Sequence, residues 1–449
     1  MRKIFTRASL SLVLLGAVSP LRAQVDPAGG SGASNTTADN GAMIAPAPVS
    51  GEGYSLEFAS ETPRTNFLSG GLSLGVAYGN GIVSAGTSDV SYSISPMIAL
   101  NQTRSRLRWD LSYNPGFTFY QKYSSLNQAS HLLDAKFSYR LTPHVTFSAG
   151  EAFSRTLGSL TNPCQNASGS LCGTIQAPND SILAPNADTI TDSSSAQLTY
   201  QFSPGGMVGL TGNFSERRYP DQGAAPGLSN SNAAGGGAFY THRVSGRHYV
   251  GATYQYQKYL TTSNTLLIDA RPATLAQSVM FFYTFYLQRS ISFSLFAGPQ
   301  YSDSYGGGLP RSRSWSPGGG GSINWEGQHT SLVASYSRRI SDGGGLQGAV
   351  SSNGTDATIR HRFTPTLNGA LGADYTVNKV LDATDLNNTS GHTISGNVSL
   401  QRSLGEHFGL TAGYLRQHQS YDIAAINSTP NRDRVWLSIS YQFQKALGR

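Results

Sequence analysis

The stretches VSYSISPMIAL at residues 90–100 and RLRWDLSYNPGFTF at residues 106–119 decide the fold. In both, large apolar side chains alternate with small or polar ones, and a period of two is the signature of a β-strand. One face carries aromatic and aliphatic residues, while the other carries serines and charges. Each arm has at least the roughly ten residues that a tilted strand needs to cross a bilayer. The pair therefore predicts one hairpin of a transmembrane β-barrel.

Composition favours a barrel over a helical membrane protein. Of the 449 residues only 38% are hydrophobic and 13% are charged, and the mean hydropathy is -0.26. Beyond residue 23 no run approaches the roughly 18 apolar residues that a spanning helix needs. A barrel accounts for the low hydropathy because only alternate residues of each strand face lipid. The charge of +7 is scattered rather than gathered in a tract, so we expect no nucleic-acid partner.

The start of the chain is typical of a secreted protein. A positively charged beginning, an apolar run of about ten residues and a small residue at Ala23 predict a cleaved signal peptide. The next stretch is rich in Gly, Ala, Ser, Thr, Asn and Pro, as flexible segments are. The expected segments are the signal peptide at 1–23, a flexible periplasmic segment at 24–64, the barrel at 65–443 and a tail at 444–449.

Candidate strands alternate with links that are short and long in turn. Outer-membrane barrels produce this rhythm with tight periplasmic turns and long outer loops, and their strand number is even. The predicted fold class is therefore all-β, an antiparallel up-and-down transmembrane barrel of about 18 strands with both termini in the periplasm. A soluble sandwich or propeller is the alternative, although soluble strands average nearer five or six residues. The candidate strands fall near 71–79, 89–100, 105–119, 132–141, 144–155, 195–203, 206–216, 233–244, 248–259, 275–288, 291–302, 315–325, 330–340, 356–364, 366–378, 391–402, 407–418 and 433–443, and the long links include 156–194, 303–314 and 341–355.

Some residues conflict with this plan. Pro96, Pro115 and Pro299 fall inside candidate strands, where each removes a ladder hydrogen bond, so we expect bulges or strand ends there. The glycine runs 235–237 and 318–321 are expected to weaken their strands, or to mark bends or places where another backbone approaches closely.

Two cysteines lie in the longest link. Cys164 and Cys172 are close in a secreted chain, which indicates a disulfide that stiffens this outer loop, worth about 2 to 3 kcal/mol. In a porin-like barrel such a loop could fold into the mouth. A metal pair is the alternative, but no histidine lies nearby and two thiolates make an incomplete site.

A search for catalytic patterns finds none that fits, so we expect neither an enzyme nor a cofactor nor a metal. Outer-membrane phospholipases carry a His-x-Ser-Asn-Gly signature, and the run Ser352-Asn353-Gly354 has Val350 where the histidine should stand. This run also falls in a predicted outer loop. Barrel proteases assemble carboxylates and histidines from separate strands, so a barrel hydrolase stays open as a further alternative.

The lumen is where we expect function. If the third and fourth strands pair with residue numbers that sum to about 246, Asp110 faces Lys136 and Arg106 faces Arg140, all pointing inward. Charges directly opposite one another interact across a strand pair.

A second inward basic group is expected near the periplasmic end of strands 13 and 14. The charges of both groups could form an ordinary wall that neutralises itself, or a basic constriction that favours anionic solutes or polysaccharide. The candidate lumen residues are Arg106, Arg108, Asp110, Lys136 and Arg140 in the first group and Arg339, Arg360 and Arg362 in the second.

The last strand, RVWLSISYQF at residues 434–443, resembles the C-terminal assembly signal of bacterial outer-membrane barrels. Every second residue from Val435 to Phe443 is apolar, while Trp436 is out of phase and would point inward. The family pattern ends the chain on the aromatic residue that corresponds to Phe443, whereas residues 444–449 follow it here.

On the scale of the whole chain, residues 65–443 resemble the porin-like barrels of Gram-negative envelopes, including those associated with exopolysaccharide export. The resemblance implies an outer-membrane location, contact with outer-membrane lipid and recognition of the 435–443 strand by the barrel-assembly machinery. It further implies a passive channel for small or anionic hydrophilic solutes or for polysaccharide. A structural or adhesive barrel closed by its outer loops is the alternative.

Overall fold

The structure is a computed structural model of the chain. It describes residues 66–82, 86–157, 188–221, 228–262, 272–288, 290–306, 309–346, 348–381, 390–421 and 431–447. The expected signal peptide, the segment 24–64 and both cysteines lie outside these ranges. No helix among the described residues is long and apolar enough to cross a membrane.

Eighteen strands form one antiparallel sheet that closes on itself. Each strand pairs with its neighbours in the chain, and the first pairs with the last from Phe67–Ala446 to Asn80–Asp433. The predicted fold class and strand number are therefore confirmed. The strands are β1 (Phe67–Asn80), β2 (Ser88–Thr103), β3 (Leu107–Tyr120), β4 (Gln128–Arg140), β5 (Val145–Leu157), β6 (Asp188–Ser203), β7 (Gly206–Arg218), β8 (Asn230–Arg243), β9 (His248–Thr262), β10 (Ala273–Gln288), β11 (Ile291–Gly306), β12 (Leu309–Glu326), β13 (Thr330–Ser341), β14 (Val350–Arg362), β15 (Leu367–Val380), β16 (Ser390–Leu404), β17 (Phe408–Tyr421) and β18 (Asn431–Ala446).

Short and long connections lie at opposite ends of the wall. β1 starts and β18 stops at the end that carries turns such as 104–106 and 405–407, whereas β5 ends at Leu157 and β6 begins at Asp188 at the other end of the wall. Outer-membrane barrels have their short turns on the periplasmic side. We therefore call these the periplasmic end and the outer end.

The two faces of the wall separate by polarity, as the alternation predicts. Large apolar side chains such as Leu210, Phe281 and Leu295 are 60–62% exposed on one face. The other face lines the interior, because its side chains reach across it: the Tyr259 hydroxyl donates to the Ile340 carbonyl oxygen over 3.0 Å. An apolar outer belt of this kind is what a lipid-facing barrel wall requires.

The three prolines produce no bulge, so that expectation was wrong. Between β2 and β3 the ladder skips from the Ile94–Phe117 pair to the Ile98–Tyr113 pair, and the register is the same on both sides of the gap. The gap contains Pro96 and Pro115, neither of which has an N–H to donate. The β10–β11 ladder skips in the same way beside Pro299. The register shifts instead at Gln201/Ser203 in β6, Tyr286/Gln288 in β10 and Ser304/Gly306 in β11.

The wall divides between β12 and β13. β12 pairs with β11 up to Leu309, but it pairs with β13 only over Gly319–Glu326. The predicted link 303–314 is therefore mostly strand. The predicted link 341–355 is shorter than expected, because β13 ends at Ser341 and β14 already begins at Val350. At the outer end β13 separates from β12 after the Gly319–Arg338 pair but stays paired with β14 as far as Ser341–Val350. The tip of β13 turns inward, where Ile340 packs against the inner face of β8, β9 and β10.

Close backbone approach explains several glycines. A Cβ on Gly237 would lie 2.5 Å from the Tyr254 carbonyl oxygen, which confirms the expected close approach in β8. On the inner face, a Cβ on Gly413 would lie 2.2 Å from the Trp436 ring. Trp436 is 3% exposed and points inward, as its phase predicts. β18 continues to Ala446, so the first three residues of the expected tail belong to the wall.

Candidate channel lumen

The predicted register between β3 and β4 is the one observed. Asp110 pairs with Lys136, and the Arg140 amide donates to the Arg106 carbonyl oxygen over 2.8 Å, so both pairs sum to 246 as expected. The charged side chains, however, form ion pairs other than the expected ones. Arg108 Nε lies 2.7 Å from Asp110 Oδ2.

Lys136 approaches a different carboxylate, with its Nζ atom 3.9 Å from Asp134 Oδ1. Its side chain stays 58% exposed. An ion pair this open and this long is worth little, so Asp134 neutralises the charge of Lys136 only weakly.

The second basic group is smaller than expected. Arg360 pairs with Ser331 and Arg362 lies beside the turn, where its Nη2 donates to the Gln328 carbonyl oxygen over 3.2 Å. Arg339 pairs with Ser352, eight residues further along β13 than Ser331. β13 runs away from the periplasmic turn, so this separation is about 26 Å at 3.3 Å per residue. The expectation that Arg339 lies near the periplasmic end was therefore wrong.

Cations outnumber anions on the inner face. Strand pairing places ten Arg or Lys side chains and six Asp or Glu side chains on the inward parity of the described strands. Only alternate residues point inward, so the lumen does not simply repeat the charge of the whole chain. The inward cations are Arg108, Lys136, Arg140, Arg217, Arg243, Arg339, Arg360, Arg362, Arg432 and Arg434, and the inward anions are Asp89, Asp110, Asp134, Glu326, Asp356 and Asp374.

Two of the inward carboxylates face each other directly. Asp356 pairs with Asp374 across β14 and β15, and like charges in such a position repel. Each accepts a hydrogen bond from a serine hydroxyl, Asp356 from Ser335 and Asp374 from Ser395. The two serines lie on the far sides of the carboxylate pair, on β13 and β16, so their hydroxyls offset part of the repulsion.

A strap crosses the outer mouth, and sequence reasoning missed it. We define the strap as the described residues 342–346, 348 and 349, which lie between β13 and β14. Asp342 Oδ2 accepts from Ser231 Oγ over 2.9 Å and lies 3.4 Å from Arg217 Nη1. The side chains of Arg217 and Asp342 are only 14% and 12% exposed. β7 and β8 lie six and five strands away from β13 in the wall, so the strap reaches them through the interior.

Backbone contacts hold the strap as well. The Tyr219 hydroxyl donates to the Gly344 carbonyl oxygen over 3.2 Å, and the Ser229 amide donates to the Gly345 carbonyl oxygen over 2.9 Å. Burial raises the pKa of Tyr219, so its hydroxyl stays protonated as a donor. Gly343, Gly344 and Gly345 all have positive φ, from 61° to 119°. The run of three glycines after Asp342 is the sequence signal that could have indicated this sharp reversal.

A cluster of buried apolar side chains packs around the strap. Leu346 and Val350 are 0% exposed, and they pack with side chains from the β7–β8 connection, β15 and β17. A neighbouring cluster joins Ile340 to the inner face of β8, β9 and β10. The full first cluster consists of Tyr219, Leu228, Leu346, Val350, Val380 and Tyr421. The residues that narrow the outer mouth thus come from five separate parts of the chain.

The possible catalytic run lies elsewhere than expected. Ser352, Asn353 and Gly354 are in β14 rather than in a loop, and Ser352 is 2% exposed. All nine histidines lie in turns or on the outward face of their strands.

Comparisons with known proteins find similar folds but no family. No protein-family model matches the chain, and no curated protein matches it in sequence. Solved structures that it resembles include the FrpB iron transporter from Neisseria meningitidis, with 11% identity, a TM-score of 0.42 and coverage of 85% of this chain and 82% of that one. The ferric citrate transporter FecA matches with 10% identity, a TM-score of 0.45 and coverage of 85% and 79%. Pseudomonas aeruginosa OccK2 matches with 11% identity, a TM-score of 0.42 and coverage of 85% and 98%. Likenesses this weak assign neither a family nor a solute to this chain.

Proposed function

We propose that this protein is an outer-membrane channel that passes small anionic hydrophilic solutes. The excess of inward Arg and Lys over Asp and Glu carries the proposal. Rings of charged side chains select ions by sign, and arginine or lysine favours anions. An eighteen-stranded wall is wide enough to leave an aqueous path unless other parts of the chain fill it.

The basic charges near the periplasmic end are the proposed selective region. Lys136 and Arg140, on β4, lie on one side, while Arg360 and Arg362, on β14, lie ten strands away in one direction around the closed wall and eight in the other. An anion in the lumen would therefore meet positive potential from opposite walls. This potential is strongest where the walls exclude bulk water, because a lower dielectric screens charge less.

The strap sets the size of the proposed solutes. With the strap docked, the outer mouth is reduced by a buried apolar cluster, which suits small solutes better than a polymer. A polysaccharide would require the strap to leave the opposite wall. We therefore favour small anions over the exopolysaccharide that the sequence resemblance implied.

Reversal potential across a planar bilayer under a KCl gradient tests the proposal. The wild-type channel is expected to prefer chloride, and Arg360→Ala/Arg362→Ala is expected to lower that preference. Arg402→Ala is the matched control, because Arg402 lies at the same end of the barrel with its side chain on the outward face. Loss of selectivity in the control, or none in the double variant, would contradict the proposed basic region.

A structural barrel closed by its outer end is the second candidate. The buried strap is the observation that favours it. Absence of any conductance from a folded barrel, together with conductance after the strap is released, would support this alternative over an open channel.

The proposed location is the bacterial outer membrane, reached through a cleaved signal peptide. The apolar outer belt, the positively charged start of the chain and the amphipathic last strand support it. Cell fractionation of a tagged protein, with and without residues 1–23, tests both parts of this proposal.

A further inference from the structure

An apolar groove runs along the outward face of the wall, across β6 to β10. Its floor is made by the small side chains of Ala238 and Ala252, while Leu210 and Tyr254 rise at its sides. Its volume is about 550 Å³. Because the groove lies in the apolar belt, hydrocarbon rather than water fills it when the barrel is in a membrane.

A cationic patch lies beyond the groove in the direction of the outer end. Lys258 is four residues further along β9 than Tyr254, about 13 Å away. Strand pairing puts Lys258, Leu275, Asp303 and Arg313 in one row across β9 to β12. These side chains share the outward face with the groove.

The patch keeps a net positive charge. Arg311 Nη2 lies 2.5 Å from Asp303 Oδ2, and Arg313 Nε lies 3.6 Å from the same oxygen. One carboxylate, 8% exposed, thus serves two guanidinium groups that are 53% and 57% exposed. With Lys258 in the same row, the patch has three cations and one anion.

An aromatic pair marks the depth of the patch. Trp315 is 72% exposed, and its ring centroid lies 5.1 Å from that of Tyr301, one row closer to the groove than Arg313. Exposed Trp and Tyr rings gather at the level of the lipid headgroups. The three cations therefore lie where headgroup phosphates lie, and the groove lies where acyl chains lie.

We propose that this surface binds one phosphate-bearing acylated lipid of the outer leaflet. Its phosphate contacts Arg313, Arg311 and Lys258, since guanidinium groups bind phosphate through charge-assisted hydrogen bonds. An acyl chain lies over Ala238 and Ala252. This lipid site is independent of the channel, because all of its side chains point away from the lumen.

Native mass spectrometry of the refolded full-length chain in detergent tests the proposal, with lipid A as the probe. The wild type is expected to retain one lipid A. Lys258→Gln/Arg313→Gln is expected to weaken binding by roughly thirtyfold, since each cation near a membrane surface contributes about 1 kcal/mol. Lys379→Gln, which removes an outward lysine from β15, is the matched control and is expected to bind as the wild type does.

The groove has its own pair of variants. Ala238→Phe/Ala252→Phe fills the floor and is expected to weaken lipid A binding severalfold, while Ala412→Phe on the outward face of β17 leaves it unchanged. Unaltered heat-modifiability and conductance show that each variant still folds. Equal binding by the filled variant would remove the groove from the site.

Two further arms identify the ligand. Inorganic phosphate alone is expected to compete weakly, and a neutral diacylglycerol is expected to bind more weakly than lipid A. Complete displacement of lipid A by millimolar phosphate would mean a site for free anions. Binding of diacylglycerol as tight as that of lipid A, or unchanged binding after Lys258→Gln/Arg313→Gln, would overturn the role of the cations.

Discussion

Replacing Asp342 by alanine is expected to loosen the strap from the opposite wall. The carboxylate is bonded to Ser231 Oγ at 2.9 Å and lies 3.4 Å from Arg217, and both charged side chains are nearly buried. Removing one partner of a buried ion pair costs about 3 to 5 kcal/mol, because the remaining charge is left in a poor solvent. We take about 3 kcal/mol, since the pair retains slight exposure.

This energy multiplies the ratio of released to docked strap by about 150. The hydrogen bonds of Gly344 and Gly345 and the burial of Leu346 remain in the variant. The strap is therefore expected to open and close rather than to be lost. Single-channel recordings in a planar bilayer should show a state of higher conductance that is rare in the wild type and frequent in Asp342→Ala.

Two further variants separate the strap from a general effect of charge. Glu406→Ala removes an exposed carboxylate from a periplasmic turn and is expected to leave the current steps unchanged. The swapped pair Arg217→Asp/Asp342→Arg should restore part of the wild-type behaviour. If Asp342→Ala folds but its conductance and dwell times match the wild type, the strap does not control the mouth.

Three other substitutions test the packing. Gly413→Ala places a Cβ 2.2 Å from the Trp436 ring and should lower the free energy of unfolding by about 1 to 3 kcal/mol, measured by urea unfolding in micelles. Leu346→Ala empties a fully buried position and should cost about 2 to 5 kcal/mol, with more frequent opening in the recordings as the distinguishing result. Phe443→Ala, at an exposed outward position of the last strand, should reduce the amount of barrel assembled in cells while in vitro refolding stays near normal. The equally exposed Phe408→Ala is its control, and an equal loss in both would contradict a specific role in assembly.

Much of the fold could be predicted because its determinants are local. Alternation along each strand depends only on residues two apart, and it placed all eighteen strands and the inward side of Trp436. Turn length and turn chemistry then set the order of the pairing. The register of Asp110 with Lys136 was expected on the assumption that β3 and β4 pair across the longer link predicted at 120–131, and the observed strands leave 121–127 between them.

The candidate site could be predicted only in part, since a strand pattern shows which way a side chain points but not what it meets across the interior. Arg339 faces inward as expected, yet it is far from Arg360 because the two strands run in opposite directions. Asp342 meets Arg217 across 125 positions of sequence. Such a contact exists only once the wall has closed and the tip of β13 has turned inward. The sequence by itself therefore determined the barrel and its two faces, because both depend on local alternation, whereas the closed tertiary structure decided which inward charges lie near one another and which residues meet across the interior.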